Sequence, residues 1–232
     1  MPRTLAVAVL ALASIPPASS QQLAIGALAD PIEKQIVTSI EARYEPDLAL
    51  LTRTVSINSG TMNLEGVRKV GRIFEQEFRA LGFVTRWVEG GSFDRAGHLI
   101  AERTPRPDSG GGPRFLLIGH LDTVFESDSP FQQMEVVDDD GKSIAKGPGT
   151  IDMKGGTVVM LSALHGLESA GFLDEMHVTV FLAGDEERPG SPLGAARAAL
   201  LDLAAGADIA LGFEDGDGDP TTAVVARRGS SG

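Results

Sequence analysis

The chain has 232 residues, which is long enough for one large domain with a full hydrophobic core. Apolar residues make up 42% of it, as is typical of a globular protein. The net charge is −12 and no basic run occurs, which argues against nucleic-acid binding. Cysteine is absent, so the chain can form neither a disulfide framework nor a thiolate metal site.

The first twenty residues have the pattern of a secretory signal peptide. Arg3 supplies the positive start, an apolar run covers residues 5–15, and residues 18–20 offer small side chains for cleavage before Gln21. The run is short for a membrane span, although an uncleaved membrane anchor is the alternative interpretation. We therefore expect an exported protein, periplasmic or extracellular, with residues 21–232 as its mature part and no stable membrane span after cleavage.

Two helical segments are predicted before the first strand of the mature chain. Isoleucine and leucine recur at helical spacing over residues 30–58, and Asp30-Pro31 is a suitable N-cap and first-turn pair. Residues 63–81 form the second pattern, with valine, isoleucine and phenylalanine on one face, and Gly82 marks its end. Both patterns favour amphipathic helices, each of which buries its apolar face.

Strand patterns and helix patterns alternate along the rest of the chain. Apolar runs predict strands over residues 83–88, 97–103, 115–119, 177–183, 208–213 and 223–227, and a hairpin around Asp140-Gly141. Helices are predicted over residues 152–170 and 191–203. This alternation predicts an α/β fold, with a mixed, mostly parallel sheet and helices on both faces.

Four short motifs place histidine or acidic side chains where predicted strands end. They are GHLDTV at residues 119–124, GPGTIDMKGG at 147–156, GDEE at 184–187 and GFED at 212–215. The residues that follow separate apolar strands are His120, Glu186, Glu187 and Glu214, and the one that precedes a helix is Asp152. Ligands of open α/β sheets bind beyond the carboxyl ends of the strands, so we expect these side chains to meet in one site.

An imidazole and several carboxylates are the ligands of a hydrolytic zinc site with one or two ions. Asp152 is the candidate for a carboxylate that bridges two ions, and its flanking glycines let the backbone approach them. Asp122 is placed to accept the second ring N–H of His120, which would fix the tautomer. Of Glu186 and Glu187, one can bind metal while the other holds a water molecule as the base of amide hydrolysis.

Each motif alone has a simpler interpretation. His120 with Asp122 is more often a structural pair, and adjacent glutamates are more often part of a solvated loop. Asp152 alone would be an ordinary helix N-cap. Only the ordered set favours a metal site. Lys154, close to the site in sequence, is interpreted as a solvated lysine, and His98 is given no role.

The four motifs resemble those of the zinc-dependent exopeptidase and deacylase family that includes glutamate carboxypeptidase, acetylornithine deacetylase, succinyl-diaminopimelate desuccinylase and aminoacylase. The resemblance covers most of residues 30–232. It implies hydrolysis of an amide bond in a small peptide or an N-acyl amino acid, commonly beside a free carboxylate. It also implies two zinc ions, for which cobalt or manganese can substitute.

The resemblance implies a role for each side chain of the set. The implied metal ligands are His120, Asp152, Glu187 and Glu214. His120 and Glu214 would share one ion, Glu187 would bind the other, and Asp152 would bridge both. Glu186 would act as the general base, and Asp122 would orient His120.

The chain departs from this family at its C-terminal end. Members continue into a smaller lid or dimerisation domain and then return with a final histidine that completes the site of Glu187. Residues 227–232 resemble the crossing into that lid, so we expect a homodimer only if the lid is present. The prediction is a carboxypeptidase-type metallopeptidase that is poorly active as this chain alone. The alternatives are a catalytically inactive fragment and a non-enzymatic exported binding module.

Overall fold

The computed structural model describes residues 6–9 and 30–215. Its helices are α1 (Pro31–Ala42), α2 (Tyr44–Val55), α3 (Leu64–Ala80), α4 (Gly155–Ser169) and α5 (Leu193–Gly206). Its strands are β1 (Ala6–Val9), β2 (Val84–Glu89), β3 (Gly97–Arg103), β4 (Arg114–His120), β5 (Glu135–Asp139), β6 (Lys142–Lys146), β7 (His177–Ala183) and β8 (Ile209–Gly212). A π turn at Thr150–Lys154 precedes α4. None of the described helices is long and apolar enough to cross a membrane.

Six strands form one sheet in the order β1-β8-β4-β7-β3-β2. The β1·β8, β8·β4 and β4·β7 pairs are parallel, whereas β7·β3 and β3·β2 are antiparallel. Strands β5 and β6 pair separately as the predicted hairpin around Asp140-Gly141. The predicted mixed, mostly parallel sheet is therefore confirmed.

Helices cover both faces of the sheet, as predicted. Side chains alternate along β3, so Leu99 and Ala101 face one side while Ile100 faces the other. The first side packs against α2, α3 and α4, with Phe74 of α3 fully buried in that core. The second side packs against α5 through Leu200 and its neighbours. The sheet is thus the middle layer of three.

The helix predicted over residues 30–58 is in fact two helices that meet at Arg43. Pro46 lies in the first turn of α2 and has no backbone N–H, so a continuous helix would lose its bond to the carbonyl of Ala42. The predicted N-cap is confirmed, because the Asp30 side chain accepts the N–H of Ile32 at 2.7 Å.

Strand β1 lies inside the apolar run that the sequence predicts to be a secretory signal. Cleavage of that signal would remove β1 and leave β8 at the edge of the sheet. The rest of the predicted signal and its cleavage point lie outside the described residues, as do the strand predicted at 223–227 and the predicted crossing at 227–232.

Candidate metal centre

The carboxyl ends of β8, β4 and β7 lie side by side and carry the predicted site residues. His120 is the last residue of β4, and Glu214 comes shortly after β8. Glu186 and Glu187 follow β7. Because these three neighbouring strands are parallel, all of their carboxyl ends meet at one edge of the sheet. The convergence expected from the sequence is therefore present.

His120 lies at the centre of a group of three potential metal ligands. Its ring is buried, and its Nε2 atom lies 2.8 Å from Asp152 Oδ1 and 3.4 Å from Glu214 Oε1. One donor atom from each residue lies within 4.8 Å of the other two, which is a spacing that can hold a metal ion. An imidazole with two carboxylates suits a divalent ion such as zinc, so the residues fit the expected metal.

The other ring nitrogen of His120 is held by residue 122. Nδ1 lies 3.0 Å from the backbone carbonyl of Asp122 and 3.4 Å from its Oδ1 atom. The sequence predicted a contact to the carboxylate, whereas the shorter distance is to the carbonyl. An N–H on Nδ1 that donates to this carbonyl leaves Nε2 free to face a metal.

The Asp122 carboxylate connects three parts of the site. It is fully buried and accepts the hydroxyl of Thr61 at 2.7 Å. It also accepts the backbone N–H groups of Glu186 at 3.1 Å and of Glu187 at 3.2 Å. Burial acts to raise its pKa, but hydrogen bonds from His120, Thr61 and Glu186 outweigh burial and lower that pKa. Asp122 is therefore an ionised anchor for the glutamate pair.

The carboxylates around His120 create a negative electrostatic potential that favours a cation. Burial acts to lower the pKa of His120, but its hydrogen bonds with Asp122, Asp152 and Glu214 prevail and raise the pKa to about 12. In the metal-free protein, the imidazole therefore carries a proton at neutral pH. A divalent ion would take the place of that proton on Nε2, since metal binding requires the neutral ring.

Glu186 and Glu187 lie where carboxylates crowd one another. Burial raises the pKa of both residues, and neighbouring carboxylates raise it further against the opposing charge of His120. For Glu187 the pKa rises to about 7, with Asp152 as the largest carboxylate contributor. Glu187 lies outside the three-donor group. A cation between Glu187 and Asp152 would relieve this repulsion.

The comparison with known proteins agrees with this arrangement. Residues 116–225 match the profile of Peptidase family M20/M25/M40. Residues 116–225 carry a domain of this peptidase family. The resemblance drawn from the four sequence motifs is thus confirmed, and the matched segment contains His120, Asp152, both glutamates after β7 and Glu214.

Carboxypeptidase G2 from Pseudomonas sp. (strain RS-16) is 32% identical to this chain over 142 residues, which are 60% of this chain and 32% of the relative. Among solved structures, the di-peptidase Dug1p from Saccharomyces cerevisiae has a TM-score of 0.62 at 15% identity and matches 79% of this chain and 41% of its own. Human carnosine dipeptidase 1 has a TM-score of 0.61 at 17% identity and matches 78% of this chain and 40% of its own. At these identities the structures show a shared fold. The chain spans about a third of the length of its curated relative.

Asp152 does not lie in a helix, contrary to the prediction for residues 152–170. Its backbone has φ −120° and ψ 96°, and α4 begins only at Gly155. The N–H of Lys154 bonds to the carbonyl of Gly149 at 2.8 Å, which inserts an extra residue into the turn. The π turn is a local feature of the kind that often occurs at functional sites.

The prediction that Lys154 is solvated is wrong. Its side chain is fully buried, and Nζ donates to the carbonyls of Thr54 at 3.1 Å and Ile57 at 3.2 Å. Burial lowers the pKa of Lys154 to about 7, against the opposing influence of Asp122. A lysine beside a glycine-rich turn carries no sequence signal for this burial, because its partners are backbone carbonyls in and just after α2.

A second buried network behind the glutamate pair was also missed. The carboxylate of Asp185 accepts the Arg197 guanidinium at 2.6 Å and the N–H of Gly190 at 2.8 Å. His98 accepts the N–H of Gly184 at Nδ1, 3.2 Å away, and its Nε2 lies 2.9 Å from the carbonyl of Ala196. These bonds fix both ends of the loop that carries Glu186 and Glu187. Nothing in the sequence links positions 98, 185 and 197.

Proposed function

We propose that the protein is a metal-dependent amide hydrolase of the carboxypeptidase type, which releases an amino acid from a small peptide or an N-acyl amino acid. The observation that carries the proposal is the group formed by His120, Asp152 and Glu214 inside an M20 domain. The similarity to carboxypeptidase G2 supports the carboxypeptidase assignment. The apolar start of the chain supports export to the periplasm or the extracellular space.

Zinc is the proposed metal, and cobalt or manganese would substitute. His120, Asp152 and Glu214 would hold one ion, and Asp152 would share a second ion with Glu187. A bound ion would polarise the amide carbonyl and lower the pKa of water. The neutral Nε2 of His120 depends on the Nδ1 contact with Asp122, so Asp122 supports binding without touching the ion.

Glu186 is proposed as the general base. Its raised pKa lies closer to neutrality than that of an ordinary glutamate, as proton transfer at neutral pH requires. The carboxylate would accept a proton from the attacking water and pass it to the leaving amine nitrogen. The bond from its backbone N–H to Asp122 holds it at the site edge.

The 232-residue chain alone is proposed to bind metal with little turnover. The observation that favours this is the position of Glu187, which lies outside the three-donor group. Among the described residues, the second ion would then have Asp152 and Glu187 as its ligands, which is fewer than the three protein ligands usual for a catalytic zinc. A homodimer is proposed only for a protein that also contains the lid domain.

The test is metal content by elemental analysis of the purified chain, with hydrolysis of a panel of dipeptides and N-acyl amino acids on the same sample. We expect one or two zinc ions per chain. Glu186→Gln should keep the metal and remove any turnover that the wild type has. Glu175→Gln, at the opposite end of β7, is the matched control and should change neither the metal content nor the turnover.

A chain that is folded and binds no metal would refute the proposal. Loss of metal in Glu186→Gln would instead mean that Glu186 is the metal ligand and Glu187 the general base. Robust turnover by the 232-residue chain would contradict the expectation of low activity and leave the hydrolase assignment in place.

A further inference from the structure

The segment that carries Asp152 lacks the usual supports for a metal ligand. The Asp152 side chain is 49% exposed, so packing of its own atoms does not fix its direction. Asp152 and Met153 both have non-helical backbone angles inside the π turn. The position of the carboxylate 2.8 Å from His120 therefore depends on what anchors the backbone on either side of it.

One anchor is the side chain of Met153. It is fully buried, and its sulfur lies 3.1 Å from the backbone nitrogen of His120 and accepts that N–H. This contact ties the turn to the end of β4. It fixes the distance between Asp152 and His120 on the side of the turn that faces the sheet.

The second anchor is Lys154. Its amino group donates to the carbonyl of Thr54, in the last turn of α2, and to the carbonyl of Ile57, two residues beyond the end of that helix. The Thr54 carbonyl lies at the carboxyl end of α2, where backbone carbonyls carry partial negative charge, so it suits a cationic donor. Among the described residues, the hydrogen bonds of this amino group go to these two carbonyls.

Taking a lysine amino group completely out of water is costly, and proteins rarely do so unless its donors are satisfied. A methionine or leucine would fill the same space without that cost. The amino group contributes hydrogen bonds that tie the π turn to α2, on the side away from β4. Met153 and Lys154 thus hold the turn between two rigid elements.

We propose that Lys154 is a positioning residue of the metal centre, whose bonds to the Thr54 and Ile57 carbonyls fix the π turn so that Asp152 faces His120 and Glu214. The inference rests on the proposed metal-binding function. A residue that acts through another ligand in this way changes metal affinity by about tenfold to a hundredfold.

The experiment is a titration of the metal-free 232-residue chain with Co²⁺, followed by visible absorption, for the wild type and Lys154→Met. Both proteins are measured where circular dichroism shows them to be folded. We expect the variant to bind Co²⁺ at least about tenfold more weakly and to give an altered ligand-field spectrum. Lys69→Met removes an exposed lysine of α3 and should match the wild type in both readouts.

Unchanged Co²⁺ affinity and spectrum in folded Lys154→Met would overturn the proposal, even if that variant were less stable. If Lys154→Met does not fold, Lys154→Gln, which keeps N–H donors on a shorter side chain, is titrated with the same criteria. Failure of both variants to fold would assign Lys154 to general stabilisation and also overturn the proposal. Absence of Co²⁺ binding by the folded wild type would refute the metal centre itself.

Discussion

The carboxylate of Asp122 accepts the backbone N–H of Glu186 at 3.1 Å, across 64 positions of the chain. Through this bond, the strand end that carries His120 also sets the path of the loop after β7. Asp122 also accepts the backbone N–H of Glu187 and the hydroxyl of Thr61, which precedes α3. One buried carboxylate therefore connects the end of β4, the glutamate pair and the segment before α3.

Asp122→Asn should weaken both the site and the fold. The amide keeps the shape but loses the charge and one acceptor, which leaves a buried N–H group without its partner. We expect a loss of about 1–3 kcal/mol in the free energy of unfolding and about tenfold weaker Co²⁺ binding. Asp128→Asn makes the same change at an exposed position and should stay within about 0.5 kcal/mol of wild type. Equal effects of the two substitutions in denaturant titrations would contradict the role given to Asp122.

Gly156→Ala should displace the segment that carries Glu214. A Cβ atom at this position would lie 1.9 Å from the carbonyl oxygen of Phe213, so α4 and the end of β8 could not stay in contact. We expect destabilisation of about 1–3 kcal/mol or more, together with weaker Co²⁺ binding.

Gly194→Ala is the control for that substitution, because no atom would lie within 4 Å of its Cβ. Alanine in α5 should be neutral or stabilise by up to about 1 kcal/mol. Thermal unfolding of both variants gives the comparison. A Gly156→Ala protein as stable as Gly194→Ala would mean that the α4–β8 contact is loose.

Arg197→Met should destabilise the loop behind the glutamate pair, since it leaves the fully buried Asp185 carboxylate without its cation. The expected cost is about 3 kcal/mol in urea unfolding. Arg86→Met removes an exposed pair with Glu102 and should cost about 0.5 kcal/mol. The double variant Asp185→Asn/Arg197→Met should recover part of this loss in the free energy of unfolding, because it removes the unpaired charge. A double variant less stable than Arg197→Met would argue against an unpaired charge as the cause.

His98 should make the fold sensitive to acid. Burial lowers the pKa of His98, although Asp185 opposes this, and its ring must stay neutral to accept the N–H of Gly184. Below the ordinary histidine pKa of about 6.5, the unfolded chain takes up a proton that the folded state resists. The stability from neutral His98 is therefore complete above that pH and is lost as the pH falls below it.

The measurement is the free energy of unfolding of wild type and His98→Gln between about pH 5 and 7.5. The variant should be less stable near pH 7.5, because the ring stacks on Phe93 at a centroid distance of 5.1 Å. Its stability should also fall less steeply with acid. Every other titrating group is shared by the two proteins. Parallel plots of their free energy of unfolding against pH would therefore show that His98 is not the acid-sensitive group.

Much of the fold and of the ligand set could be predicted because its signals are local. Apolar runs located the strands, and the order of strands and helices indicated a parallel arrangement that brings strand ends together. His120 and Glu214 stand directly after such runs, so they could be placed near each other without coordinates. The break between α1 and α2 was missed, although Pro46 is a local signal for it.

The features that sequence reasoning missed depend on partners far away in the chain. Lys154 is buried because carbonyls 100 and 97 positions earlier accept its amino group. The π turn at Asp152 contacts β4 through Met153 and α2 through Lys154, and both partners are far away in the chain. Arg197 and Asp185 meet only when α5 packs on the sheet. Such pairings follow from tertiary packing, which periodicity and spacing do not encode.

The position of β4 between β7 and β8 has a consequence for how the centre is assembled. His120, Asp152 and Glu214 reach one another only after β8 has paired with β4 and the turn before α4 has closed. Such long-range pairings form late, because loop-closure entropy must be overcome first. An unfolded chain offers a metal ion only scattered ligands, so metal added during refolding should stabilise the finished protein and leave the rate of folding unchanged.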